Sequence, residues 1–309
     1  MVPLPSFAEF CRHFANEDAC VQALFHSRWP EGFRCPDCRC EHYYLIRTRR
    51  LPLYECISCG RQTSLTAGTV MEKSRTALTR WFQAFYLLSQ PSGISSMALS
   101  EIIGVTYKTA WHISHKIRHA MHLDEIGRLL SGNVRVEAFT YGSALFADGI
   151  QPLLIGGSFD SEGKLNHVKI EQPHPDYIDH QARFIFPSGI NAFVQNHVEP
   201  EAQITQVKRM AKSHPSLLPL RLRLNLWLND TFFGIGAKHL QAYADEFCYR
   251  LNQTFRRVSP IESLLQHCAA SPALVYKELT RSRPVLPPAW LTFGSRSRWK
   301  SYHQVQWLN

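Results

Sequence analysis

No apolar run in the 309 residues approaches the roughly eighteen that a membrane-spanning helix needs. Basic and apolar signal-peptide regions are absent from Met1-Val2-Pro3-Leu4-Pro5-Ser6, so the chain is expected to stay in the cytoplasm. There are no internal repeats, and no convincing basic amphipathic helix for a membrane surface. Acid is the scarcer charge: 25 Asp and Glu stand against 34 Lys and Arg, a net +9. That balance suits a polyanion such as DNA or RNA. A hydrophobic share of 45% with 19% charged residues describes a globular chain with material for two or three modest domains.

Cysteine is present, and its spacing is informative. Cys35-Pro36-Asp37-Cys38 and Cys56-Ile57-Ser58-Cys59 form two C-x-x-C pairs separated by seventeen residues, positions 39–55. Each C-x-x-C turn aims two sulfurs at one point, and two such turns complete a tetrahedron around Zn²⁺. Four protein ligands leave no open position, so the zinc at Cys35, Cys38, Cys56 and Cys59 is expected to be structural. The competing readings are disulfides or four unrelated thiols. Cys40 breaks the spacing and is expected to stand beside the site. Cys11, Cys20, Cys248 and Cys268 read as small buried hydrophobes.

Between the pairs, Tyr43-Tyr44-Leu45-Ile46 and Leu53-Tyr54-Glu55 read as ribbon strands. Arg47, Arg49 and Arg50 fall at the hairpin tip between them, a plausible nucleic-acid contact. Ahead of the ribbon, residues 7–28 show helical spacing, broken and recapped at Asn16-Glu17-Asp18. Behind it a helix is expected from about Ser74 to Ser89, its aromatic stripe of Trp81, Phe82, Phe85 and Tyr86 forming core.

Residues 94–121 predict two short helices joined at Gly104, with Ser95 or Ser96 capping the first and Thr106 the second. Ala110, Ile113, Ile117 and Met121 share the buried face of the second. Tyr107, Lys108, His112, His115, Lys116 and His119 are left on the outside. This fits a helix-turn-helix whose second helix enters the major groove, with Tyr107 and Lys108 near its start. An ordinary helical hairpin is the alternative.

Leu129–Asn133 reads as a linker, after which the composition changes. Val134–Phe139 alternates like a strand, and residues 151–170 read as a hairpin turning at Asp160–Gly163. A helix near 200–213 is expected, 217–228 is strand or helix, and 238–252 is helical. Beyond Pro284 the chain reads as irregular. The expected layout is α+β multidomain: helices and zinc ribbon over 1–66, a helical DNA-binding domain over 67–130, an α/β domain over 131–260, and a tail over 261–309.

This order of parts, with several phrases, resembles the zinc-ribbon DDE transposases of bacterial insertion sequences. The phrases are Trp29-Pro30-Glu31-Gly32-Phe33-Arg34-Cys35, Thr66-Ala67-Gly68-Thr69, Gly93-Ile94-Ser95, Tyr107-Lys108-Thr109-Ala110-Trp111 and Ile117-Arg118-His119-Ala120-Met121. Lys238–Tyr243 with Arg250-Leu251-Asn252 is similar to the family's closing helix. The resemblance implies a ribonuclease-H-like third domain, here truncated, in which three carboxylates hold two Mg²⁺ ions for attack on a phosphodiester. Carried over residue by residue, the acid positions read Glu137, Gln206 and Leu224. Glu137 keeps a carboxylate one methylene longer than the aspartate expected there, Gln206 is neutral, and Leu224 stands three residues before Trp227. Residues 217–228 contain no acid at all.

The resemblance therefore implies binding to DNA at element ends, and self-association as a homodimer. Its acid positions argue against DNA cleavage and strand transfer, and Mg²⁺ belongs to the protein only if that activity survives. The competing functions are an active Mg²⁺-dependent transposase and a zinc-ribbon module that binds protein instead of DNA.

Overall fold

The computed structural model describes residues 5–142, 150–179, 183–206, 213–272 and 274–281. The chain begins with α1 (Phe7–His13), α2 (Glu17–Arg28), β1 (Tyr43–Ile46), β2 (Leu53–Cys56) and β3 (Gln62–Ser64). There follow α3 (Leu78–Ser89), α4 (Ser96–Ile103), α5 (Tyr107–Ile126), β4 (Asn133–Tyr141), β5 (Gln151–Phe159) and β6 (Leu165–Glu171). The remainder is α6 (Pro187–His197), β7 (Gln203–Gln206), α7 (Leu218–Phe232), α8 (Leu240–Arg256), α9 (Pro260–Ala270) and α10 (Tyr276–Leu279). No described helix is long and apolar enough to cross a membrane.

Two compact units result. The first joins residues up to Asp124 with Arg257–Thr280, and the second holds Glu125–Arg256. In the first, Asn16 caps α2 by accepting the Ala19 N–H at 2.8 Å. Helix α3 starts at Leu78, later than the expected Ser74. The cause is tertiary: Glu17 of α2 accepts the Leu78 N–H at 2.8 Å, while Ser74 accepts the Trp81 indole N–H at 3.2 Å. Trp81, Phe82, Phe85 and Leu88 are buried, as their helical spacing predicts. Residues 260–279 differ from the expected tail. Helix α9 packs on α2 and α3, buries Leu264 and Cys268, and accepts the Val70 N–H on the Cys268 carbonyl at 3.1 Å. The irregular segment expected beyond Pro284 lies outside the described residues.

The second unit is a four-stranded sheet in the order β6-β5-β4-β7. The first three strands are antiparallel to their neighbours, and β7 runs parallel to β4 with Val136 opposite Gln206. Strand β5 is buried on both faces. Leu153, Ile155 and Phe159 meet α7 and α8, while Leu154 joins Val134, Val136 and Phe193 on the other side. A Cβ at Gly156 would lie 2.5 Å from Leu130 Cδ1 and 2.8 Å from Phe193, so the strand needs glycine there. Leu130, expected in a linker, is thereby a fully buried core residue, bridged to Val198.

Two further expectations change in this unit. Where a helix was expected near 200–213, residues 203–206 form strand β7, because the free edge of β4 pairs with them and Gly132 O accepts the Gln203 N–H at 2.9 Å. Residues 207–212 lie outside the described residues. The leucine alternation of 217–228 folds as helix α7, which Pro219 starts in its first turn.

Glu125 is one of the buried charges of the unit. Its carboxylate takes Arg256 Nη2 at 2.7 Å, Asn252 Nδ2 at 2.9 Å and His167 Nε2 at 3.2 Å, and Lys169 Nζ donates to its carbonyl at 2.6 Å. Burial pushes this carboxyl up, but the His167 hydrogen bond and Arg256 outweigh it and hold it below its ordinary value. A depressed folded-state value contributes stability above the unfolded value and loses it as pH falls through the folded one. Acid titration of unfolding should therefore be shallower in Glu125→Gln than in the native chain; parallel acid limbs would contradict this.

Candidate zinc centre, basic helix face and acid positions

The four ribbon sulfurs converge. Those of Cys35, Cys38, Cys56 and Cys59 all lie within 4.8 Å of one another, and no other group of three or more His, Cys, Asp or Glu among the described residues does so. Cys35 and Cys59 are 3.6 Å apart and Cys38 and Cys56 3.4 Å. Tetrahedral Zn–S bonds of ~2.3 Å would hold the sulfurs ~3.8 Å apart, whereas a disulfide needs ~2.05 Å. Each knuckle repeats one backbone pattern. Cys35 O accepts from Arg39 N at 2.9 Å and Cys56 O from Gly60 N at 3.0 Å, with Arg39 and Gly60 both left-handed at φ 61° and 71°. Backbone N–H groups favour thiolate at two of the four: that of Cys59 leads in pulling Cys56 down to about 6, and that of Cys38 in lowering Cys35. At Cys38 and Cys59 a backbone N–H is outweighed by the neighbouring sulfurs, which push the thiol up. The donor set fits Zn²⁺. Cys40 stays outside the quartet, half-buried, with its sulfur 3.8 Å from His42 O.

Aromatic rings carry the ribbon. Tyr54 of β2 packs within 5.3 Å of Phe25 and 5.2 Å of Trp29, and Phe33 lies 5.0 Å from Tyr43. Arg28 stacks over Trp29 and ties down the end of β3 through Ser64 O and Leu65 O at 2.7 and 2.6 Å. Arg47, Arg49 and Arg50 stand exposed at the β1–β2 tip, as expected. They line a cleft of about 350 Å³ with Asp18, Leu45 and Tyr54. Arg50 is held there by an ion pair with Glu17.

Helices α4 and α5 form as read. Ser95 accepts from Ala98 N, Gly104 takes φ 63° between the helices, and Thr106 accepts from Thr109 N at 3.2 Å. Ala110, Ile113, Ile117 and Met121 are buried. The outer face is smaller than expected. Tyr107 and Lys108 are exposed, but His115 is buried with its ring 4.1 Å from Trp111. His112 is half-buried against Tyr276 at 4.7 Å, and Lys116 donates to Glu72 O at 3.4 Å. His119, also expected outside, is half-buried too. Helix α10, invisible in the pattern, supplies Tyr276 and covers that side of α5.

Glu137 sits in mid-β4, 2% exposed, on the sheet face that carries α7. Its carboxylate accepts from the Ser213 hydroxyl, and from His214 N at 2.7 Å. Arg135 lies 3.6 Å away and Arg221 of α7 3.8 Å, and Arg221 also donates to Ser213 Oγ at 3.0 Å. Burial lowers Arg221 against the opposing pull of Glu137, and burial followed by Arg135 lowers His214, leaving its imidazole neutral near pH 7. Leu224, one turn along α7 from Arg221, is fully buried in the apolar core. Gln206 ends β7 beside Val136. These three positions do not fit Mg²⁺. The one carboxylate accepts two hydrogen bonds and faces two guanidinium groups, and leucine offers no lone pair where hard cations want several oxygens.

Residues 15–62 match the family model of the transposase zinc-ribbon domain. That segment is similar to a transposase zinc ribbon. Over 127 residues the chain is 32% identical to an uncharacterized protein in transposable element ISH50 of Halobacterium salinarum. That alignment covers 41% of this chain and 42% of the relative, so the chain spans less than half the length of the protein it matches. No solved structure matches. The bounds of that match follow from packing, since α2 supplies Phe25 and Arg28 to the strands.

Arg135, Ser213, His214 and Arg221 are the residues that the transposase-like reading overlooked. Arg135 was findable, because a residue two before Glu137 on a strand shares its face. Arg221 was not, as its approach depends on α7 being a helix.

Proposed function

We propose that the chain is a transposase-derived DNA-binding protein that recognises DNA through its zinc ribbon and helices α4–α5, and that it does not cleave DNA. One observation carries the catalytic half. The surviving acid, Glu137, is occupied by Arg135, Arg221, Ser213 and a backbone N–H, so cationic side chains stand where a divalent ion would need open oxygens. A mixed sheet with β7 parallel to β4 supports the ribonuclease-H-like reading of this unit, and its four strands suit a truncated version. DNA binding is supported by the transposase ribbon, the net charge of +9, the arginine tip and the exposed Tyr107–Lys108 start of α5.

In this reading α4 and α5 act as a helix-turn-helix, with Lys108 on a phosphate and Tyr107 beside it. Lys108→Ala should weaken binding across sequences and lower the salt slope by about 0.9, the value of one phosphate contact. An unchanged slope would favour the plain helical hairpin. His115→Ala should lower thermal stability as well as affinity, since its ring is buried.

Labelled terminal-repeat DNA offered with and without Mg²⁺ or Mn²⁺ tests the whole proposal. Retarded mobility without nicking is the expected result. Metal-dependent nicking would restore the active-enzyme reading. Absence of any DNA affinity would leave the ribbon as a protein-binding module.

A further inference from the structure

Helix α5 carries its basic side chains on one face. At helical spacing Lys108, His112, Lys116 and His119 lie together, opposite the buried Ala110 and Ile117. The first turns of that face are what a recognition helix sets against base edges. In this chain they are occupied. The Tyr276 ring of α10 stacks on His112 at 4.7 Å, lies 6.4 Å from Trp111, and has Lys108 Nζ over it at 5.6 Å. Further along the same face, burial and then His122 lower His119, and the charge of Glu278 in α10 opposes both.

This cover rests on the helix without joining the core. Helix α10 is four residues long and buries none of them, and Tyr276 remains 54% exposed. Beneath it His112 Nε2 is buried with no hydrogen-bond partner among the described residues, so the closed arrangement leaves a polar atom unsatisfied. Folding therefore gains little from α10, whereas groove entry is blocked by it. The major groove is ~12 Å wide and a helix with its side chains measures ~10–12 Å across. The groove admits α5 alone, and not α5 with a tyrosine ring on its leading face.

We infer that α10 is an autoinhibitory cover on α5, which has to leave before the helix can enter DNA. Tyr276 takes the stacking surface, and Glu278 brings the negative charge that a phosphate would bring. The inference rests on the reading of α4 and α5 as DNA-binding helices and adds the regulation of that site. Covered chains do not bind, so the apparent affinity falls by the uncovered fraction. One ring stack and one exposed cation–π contact bias the equilibrium about tenfold toward the cover.

Fluorescence anisotropy of the full, zinc-loaded chain on terminal-repeat duplex should show Tyr276→Ala binding about tenfold more tightly than the native chain. Tyr276→Phe keeps the ring and should bind as the native chain does. Both variants should keep the native melting temperature, since the side chain is more than half exposed. Without DNA, diethyl pyrocarbonate should modify His112 several-fold faster in Tyr276→Ala, while His167 of the second unit reacts at an unchanged rate. If both chains bind DNA equally, or His112 reacts equally fast in both, the cover is overturned and DNA binding by α5 stands. Binding by neither chain removes the DNA-binding reading and this regulation with it.

Discussion

Chelation of zinc from the purified chain is expected to unfold residues 35–64 while the second unit stays folded. The ribbon strands are four, four and three residues long, too short to stand without the metal that joins their two knuckles. Structural Zn²⁺ sites in comparable peptides contribute about 10–16 kcal/mol, which is most or all of the folding free energy of such a module. Because Phe25, Trp29, Phe33, Tyr43 and Tyr54 pack as one cluster on the ribbon, their loss of order should remove much of the near-ultraviolet circular dichroism. Hydrogen exchange should show β1–β3 unprotected and the β4–β6 sheet unchanged. Cys35→Ser should reproduce the effect and reduce zinc well below one per chain. Cys40→Ser should leave the stoichiometry intact, since its sulfur lies outside the quartet. A ribbon that keeps its aromatic signal with no zinc bound would sink the assignment.

Glu137→Ala should destabilise the second unit by about 1–3 kcal/mol, the cost of stranding the part-buried donors of Ser213 and His214, with the partly exposed arginines adding little. Arg135 and Arg221, with side chains 32% and 25% exposed, would then lose their counter-charge. Millimolar Mg²⁺ should leave the melting temperature of the native chain unchanged. A working two-metal site behaves in the opposite way. Its acids repel one another, so removing one relieves strain, and bound Mg²⁺ stabilises the folded state by mass action. A more stable Glu137→Ala protein, or a native chain stabilised by Mg²⁺, would contradict the proposed ion-pair role. Leu224→Glu separates the two cases further: it places a charge in the core beside α8 and should unfold the unit without recruiting metal.

Much of the first unit was legible because its signals are local. Cysteine spacing located the metal site, Asn16 and Ser95 marked helix starts, and Gly104 marked the turn before α5. Each depends on a few neighbouring residues, so sequence suffices. The errors share the opposite cause. His112 has helical neighbours that suggest an outer face, but Tyr276 of α10, far along the chain, packs on it. Leu130 looks like linker because the space it fills, left open by the absent Cβ of Gly156, lies twenty-six residues away in sequence. Helix α9 lies where the pattern suggested a tail, since its partners α2 and α3 come much earlier in the chain.

The sequence by itself determined the spacing of the cysteine quartet, the helix pair behind it and the lack of any acid over residues 217–228. Those are statements about residue identity and short-range spacing. Only the tertiary structure decided what became of Glu137. A strand brings Arg135 onto its face, but Arg221 and Ser213 reach the carboxylate from more than seventy residues downstream, by the folding of α7 over the sheet. An acid in a sequence is a candidate ligand, and the charges packed around it determine whether it is free to bind anything.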